Sequence, residues 1–214
     1  MILSRMELDP AKRETRLALA APSRFHGAIE SAFPGERRRR LWRLDVLRGT
    51  PYLLILSEDR PDLAGAVRQF GVPERQPMWE ERNYAPLLAR VATGSRWRFR
   101  LTANPTVSKS RPGERGKVLA HITPRYQKQW LMEQSGKRGF SLREDAFEVV
   151  SSQWLCFDKK GRTAVTLLSA TFEGALTVTD ETLFRAALTE GIGRGKAYGM
   201  GLLTLMRLSE ASDG

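Results

Sequence analysis

Hydrophobic positions along the chain alternate between a period of two and a period near 3.6, and each change marks a new element. Over Met1–Leu8, Ile2, Ser4, Met6 and Leu8 alternate with Leu3, Arg5 and Glu7, which predicts a strand. Pro22–Ser23 then opens a helix with Ser23 as the candidate N-cap. Phe25, Ala28, Ile29, Ala32 and Phe33 recur at helical spacing, and Pro34–Gly35 ends the pattern. Leu41–Leu47 and Tyr52–Ser57 read as strands joined by a turn at Arg48–Pro51. Pro61–Phe70 reads as a helix, and an extended stretch near Pro77–Glu80 closes the first half.

The second half repeats the order without repeating the sequence. Arg96–Ala103 is a strand, and Thr123–Pro124 opens a helix through about Gln134 that carries Tyr126 and Trp130. Ala146–Phe157 and Thr163–Val178 are long strands around the turn Asp158–Arg162. In the second of them Ala164, Leu168, Ala170, Phe172, Leu176 and Val178 share one face. Asp180 caps a helix reaching Glu190, and Gly201–Leu208 is a last strand. Each half is therefore β-α-β-β-α-β, the ferredoxin-like order. The expectation is an α+β chain of two tandem ferredoxin-like (RRM-like) domains with antiparallel sheets. They would span residues 1–90 and 91–214, with the boundary inside Arg82–Gly94.

Length agrees, since 214 residues suit two small domains. The single cysteine, Cys156, excludes an intrachain disulfide. No apolar run approaches the roughly 18 residues that span a bilayer. The N-terminal stretch lacks a basic region followed by an apolar block, so the expected location is cytoplasmic, with no membrane partner. His26, His121 and Cys156 cannot supply a four-ligand zinc site, no GxSxG or HExxH motif occurs, and no cofactor is expected.

Charge narrows the class further. Lys and Arg number 35 against 24 Asp and Glu, a net +11 that calls for a polyanionic partner. Arg37–Arg40 form an unbroken basic run. Arg96, Arg98 and Arg100 alternate with Trp97, Phe99 and Leu101, which puts guanidinium groups on one strand face. Lys109, Arg111, Arg115 and Lys117 lie in a Pro/Gly-rich stretch that reads as a mobile basic loop. Lys159, Lys160 and Arg162 crowd the tip between the two long strands. Basic groups so spread suit a nucleic-acid backbone.

Residues 191–201 hold five glycines in eleven positions. Glu190 and Ala197 stand where a P-loop needs glycine and Ser/Thr, and Lys196 breaks a dinucleotide fingerprint begun at Gly191. Two readings stay open: a turn that closes the helix and tolerates tight packing, or a phosphate approach in which Gly193 and Gly195 present backbone N–H beside Arg194 and Lys196. For His26, about 100° per residue puts the imidazole on the shoulder of the Phe25–Ile29 stripe, with Glu30 one turn on. A structural and a catalytic role are both compatible with that position. His121, before Thr123–Pro124, is the competing histidine.

Several segments together resemble the CasE family, the CRISPR-associated endoribonucleases of subtype I-E. The stretches are the N-terminal strand MILSRMELDP followed by Ser23-Arg24-Phe25-His26, Leu41-Trp42-Arg43-Leu44, Trp97 to Pro105 (WRFRLTANP) and the glycine-rich segment running on through Leu205. The resemblance extends nearly end to end. It implies tandem ferredoxin-like domains and metal-independent cleavage of a CRISPR repeat stem-loop at its 3′ base. It also implies retention on the guide RNA with other Cascade subunits. By position it makes His26 catalytic, and it finds Ser23 where family members often carry tyrosine.

On that footing the substrate 2′-OH attacks the phosphorus, leaving 2′,3′-cyclic phosphate and 5′-OH ends, while His26 moves a proton and Lys196 or Arg194 meets the phosphate. Arg98, Arg100, Lys109, Arg111, Lys159, Lys160 and Arg162 are the remaining candidate RNA contacts. The competing expectation is a non-catalytic RNA-binding subunit of a ribonucleoprotein.

Overall fold

The computed structural model describes residues 1–35, 38–109, 117–159 and 162–208. Its first sheet contains β1 (Ile2–Glu7), β2 (Leu41–Leu47), β3 (Thr50–Ser57) and β4 (Glu80–Asn83) in the order β2-β3-β1-β4. All its ladders are antiparallel, and β2 and β3 join through Arg48 and Gly49, both with positive φ. Helices α1 (Arg13–Ala20), α2 (Ser23–Ser31) and α3 (Ala64–Phe70) belong to this half, and α4 (Ala85–Arg90) follows β4.

The second sheet has β5 (Arg96–Ala103), β8 (Phe140–Ser141), β9 (Phe147–Lys159), β10 (Arg162–Val178) and β11 (Leu203–Arg207). Its order is β11-β5-β10-β8, with β9 also pairing along β10. Both sheets thus have the fourth, first, third and second strands of the motif side by side, as the ferredoxin-like order requires. Helix α5 (Pro124–Gly136) and helix α6 (Glu181–Glu190) complete the half. The Asp180 carboxylate accepts from Leu183 N–H and caps α6, as the sequence predicts.

Several sequence expectations need correction. Helix α1 is absent from the sequence expectations, because its inward face is short and only weakly apolar: Thr15 and Ala18 are buried, Leu19 packs beside them, and the Thr15 hydroxyl donates to the Phe70 carbonyl at 2.9 Å. Ser23 is the first helical residue rather than the cap, a position taken by Pro22, and no side chain caps α2. The stretch read as a basic loop begins and ends as a hairpin, β6 (Thr106–Lys109) against β7 (Lys117–Ala120), with Lys109 paired to Lys117. Its intervening residues, including Arg111 and Arg115, lie outside the described residues. The last strand begins at Leu203, since the glycine segment extends through Gly201.

Strand β3 explains how the halves join. Leu53 and Ile55 face a core with Phe25, Ile29, Trp42 and Phe70 under the helices. Leu54 and Leu56 face a second core containing Trp97, Leu101, Phe172 and Leu203 from the other half. Burial on both faces accounts for the unbroken apolar run Leu53–Leu56.

Candidate active site

Phe25 and Ile29 are fully buried and anchor α2 on Trp42 and Phe70; ring centroids of Phe25 and Phe70 are 4.9 Å apart. With that face fixed, the His26 side chain emerges at the flank of the stripe, 30% exposed. Its Nδ1 lies 4.0 Å from Glu30 Oε1, an ion pair only when the imidazole is protonated. The other Glu30 oxygen lies 3.5 Å from Arg40, whose buried guanidinium stacks over Phe33. Glu30 therefore sits between a histidine and an arginine.

Helix α2 packs against a short 3-10 turn, Lys196–Tyr198, inside the glycine-rich segment. Gly199 ends that turn at φ 80°, and a Cβ there would stand 2.7 Å from the Trp42 ring. Gly193 has φ 79° and lies against Trp130, while Gly195 precedes the turn in the left-handed region. These glycines have a packing reason. Gly199 seats the turn on Trp42 of the first half and Gly193 seats the segment on Trp130 of the second, while Asn104 of the WRFRLTANP stretch bridges to Arg194.

Lys196 is the chemically distinctive member. Burial holds its ammonium below the ordinary 10.5, and the Arg39 and Arg138 guanidinium groups lower it further; Glu190 opposes them. Two guanidinium groups thus act on the Lys196 ammonium against one carboxylate, a positive surrounding suited to an anion. The ring of Tyr198 lies 5.1 Å from that of Phe157 on β9, tying the turn to the long β9–β10 hairpin.

The other candidates divide. Arg194 is exposed beside Asn104. Arg98 and Arg100 line a separate groove of about 470 Å³ with Arg43, Asp45 and Glu173. Arg98 is exposed there, but Arg100 is engaged by Glu173 at 2.5 Å and Asp45 at 3.3 Å. Lys159 and Arg162 pair at the end of the β9–β10 ladder, whereas Lys160, like Arg111, lies outside the described residues. His121 stacks on Tyr126 with centroids 6.0 Å apart, ahead of α5. Among the described residues no group of three His, Cys, Asp or Glu side chains is placed to hold a metal.

Arg39 and Arg138 were not among the predicted site residues. Arg39 carried a signal, its place in the Arg37–Arg40 run; Arg138, just past the end of α5, carried none.

The family model described as CRISPR associated protein matches residues 1–207. The CRISPR-associated endoribonuclease Cse3 of Thermus thermophilus is 33% identical over 220 residues, covering 96% of this chain and 99% of that protein. A CRISPR endoribonuclease Cse3 bound to a 19-nucleotide RNA superposes with TM-score 0.81 at 29% identity, covering 96% and 100% of the two chains. A chain of a CRISPR RNA-guided surveillance complex in a pre-nicking state gives TM-score 0.74 at 25% identity, covering 97% and 100%.

Proposed function

Since the chain belongs to the CasE family of CRISPR-associated endoribonucleases, we propose that it is an endoribonuclease that cuts CRISPR repeat stem-loop RNA into guide RNA and stays with it in a Cascade surveillance complex. One observation carries the reading: the helix presenting part-exposed His26 packs on the turn presenting Lys196, whose surroundings are arranged for an anion.

The chemistry needs little from the protein because RNA brings its own nucleophile. In-line attack of the 2′ oxygen on phosphorus forms the cyclic phosphate and breaks the bond to the 5′ oxygen. His26 accepts the 2′ proton when neutral, or donates one to the leaving oxygen as imidazolium. Lys196, with Arg39 and Arg138, offsets charge on the phosphoryl oxygens, an electrostatic role that requires no metal. Arg194 and the hairpin residues Lys159, Lys160 and Arg162 would meet the stem backbone, since a deep A-form major groove leaves shape and phosphates to be read. Arg98 belongs to this outer basic surface, with Arg100 and Lys109 as less direct contributors. We take 1–90 and 91–214 as the two domains, and the cytoplasm, where repeat transcripts arise, as the location. No helix among the described residues is long and apolar enough to cross a membrane.

Ser23, one helical turn before His26, supports a second reading as a retained RNA-binding subunit without activity, because a serine replaces the tyrosine often found there. A single assay separates them. Purified protein is incubated with its repeat RNA in EDTA beside His26→Ala. Cleavage that survives EDTA, disappears in the variant and yields cyclic phosphate ends supports the nuclease; intact RNA under wild-type protein leaves only the binder.

A further inference from the structure

A second groove, of about 610 Å³, runs between α2 and α3 and is lined by Arg24, Gly27, Ser31, Asp62, Arg68 and Gln69, among others. Its volume falls within the ~300–1,000 Å³ range of ligand clefts. The polar groups on its walls differ in availability. The Ser31 hydroxyl donates to the Gly27 carbonyl at 3.0 Å, and Asp62 Oδ1 accepts from Ala64 N–H at 3.0 Å, which turns one oxygen of this exposed carboxylate to the start of α3 and leaves one negative charge against two positive ones on the walls. Arg24 and Arg68 are exposed, and among the described residues neither has an ion-pair partner. The groove therefore offers two guanidinium groups to an anionic ligand.

Gly27 connects this groove to the candidate active site. It follows His26 directly, stands exposed in the middle of α2, and also lines the groove. A Cβ added there would meet nothing within 4 Å, so packing within the chain does not require glycine. Glycine in a helix interior lowers stability relative to alanine, and here the fold receives nothing in return. What the missing side chain leaves is a low crest between His26 and the two arginines, over which a backbone can pass closely.

We propose that the single-stranded RNA on the 3′ side of the cut crosses α2 over Gly27 and lies in the α2–α3 groove, its phosphates held by Arg24 and Arg68. The inference rests on the nuclease reading for the identity of the strand. It gives that strand a path separate from the stem contacts, so uncleaved RNA is gripped on both sides of the scissile phosphate while the product stem-loop is gripped on one.

The test uses two RNAs with the same repeat stem-loop, each with a 2′-deoxy nucleotide before the cut. One keeps its single-stranded 3′ flank; the other stops one nucleotide past the cut. Arg24→Gln/Arg68→Gln should weaken the flanked RNA about ten-fold and flatten its salt dependence by about 0.7 for each single-strand phosphate left unneutralised. The truncated RNA should bind as to wild type. Gly27→Leu, which fills the crest, should show the same selectivity for the flanked RNA. Equal losses on both RNAs, or none on the flanked one, overturn the groove assignment. Failure of wild-type protein to cut the all-ribose RNA would instead remove the nuclease reading, and the binding comparison would still judge the groove.

Discussion

The guanidinium of Arg43 closes a fork on the carboxylate of Asp45, Nε to Oδ1 at 2.8 Å and Nη2 to Oδ2 at 2.7 Å, with both side chains buried. The two residues lie two positions apart on β2, so the pair is local to one strand. The remaining donors of Arg43 reach across the chain: Nη1 to the Arg100 and Leu202 carbonyls at 2.8 Å each, Nη2 to the Thr204 hydroxyl at 2.8 Å. One side chain of the first sheet thus satisfies backbone groups of the second half.

Removing Arg43 takes the two-pronged partner from the buried Asp45 carboxylate, leaving it Arg100 at 3.3 Å, and removes a donor from the Arg100 and Leu202 carbonyls. Arg43→Leu should lose about 3–5 kcal/mol of stability, and Asp45→Leu in the same chain should recover much of it. Urea unfolding of the single and double variants measures both. A loss below about 1 kcal/mol for the single variant, the scale of an exposed pair, would contradict this account.

His26→Ala should lower cleavage by about 10²–10⁴-fold, the range of general acid–base help, while RNA affinity stays unchanged. Single-turnover kinetics with saturating protein separates the two. A parallel fall in affinity would mark the histidine as a binding group.

Lys196 titrates below 10.5 in the folded chain, chiefly through burial and then through Arg39 and Arg138. Between that lowered value and 10.5 the unfolded chain binds more protons, so stability rises with pH through this window. Below it the charged ammonium costs stability. Lys196→Met should therefore be the more stable protein at neutral pH, with the advantage shrinking as pH approaches 10.5, and it should cleave more slowly. Denaturant titrations over pH test the first part and the cleavage rate the second.

Gly199→Ala places a methyl group 2.7 Å from the Trp42 ring at φ 80°. The backbone conformation alone should cost about 1–2 kcal/mol. The turn carrying Lys196 should shift with it, so a lower melting temperature should accompany slower cleavage. Gly27→Ala, with open space around its Cβ, should have the opposite sign and raise stability by about 0.4–1 kcal/mol.

Lys159→Ala/Lys160→Ala should weaken stem-loop binding and flatten its salt dependence by up to about 0.9 for each phosphate no longer neutralised. An unchanged slope would remove these lysines from the RNA surface.

Local patterning carried much of the architecture. The alternation of Arg96–Ala103 set the bounds of β5 and its buried Trp97, Phe99 and Leu101, and the stripe through Phe25 and Ile29 put His26 at the flank where it stands. Such features depend on neighbours two to four residues away, so a strand's pleat or a helix's turn writes them into the sequence. What covers the second face of β3, why α1 forms, and how Arg138 comes to act on Lys196 depend on contacts between distant segments. Arg43 and Arg100 illustrate the divide: both read as basic strand residues, and only the joining of two sheets turned one into a buried tie and brought Asp45 to the other, beside its cross-strand partner Glu173 on β10. Desolvation and pairing are properties of the assembled interior, which no local period encodes.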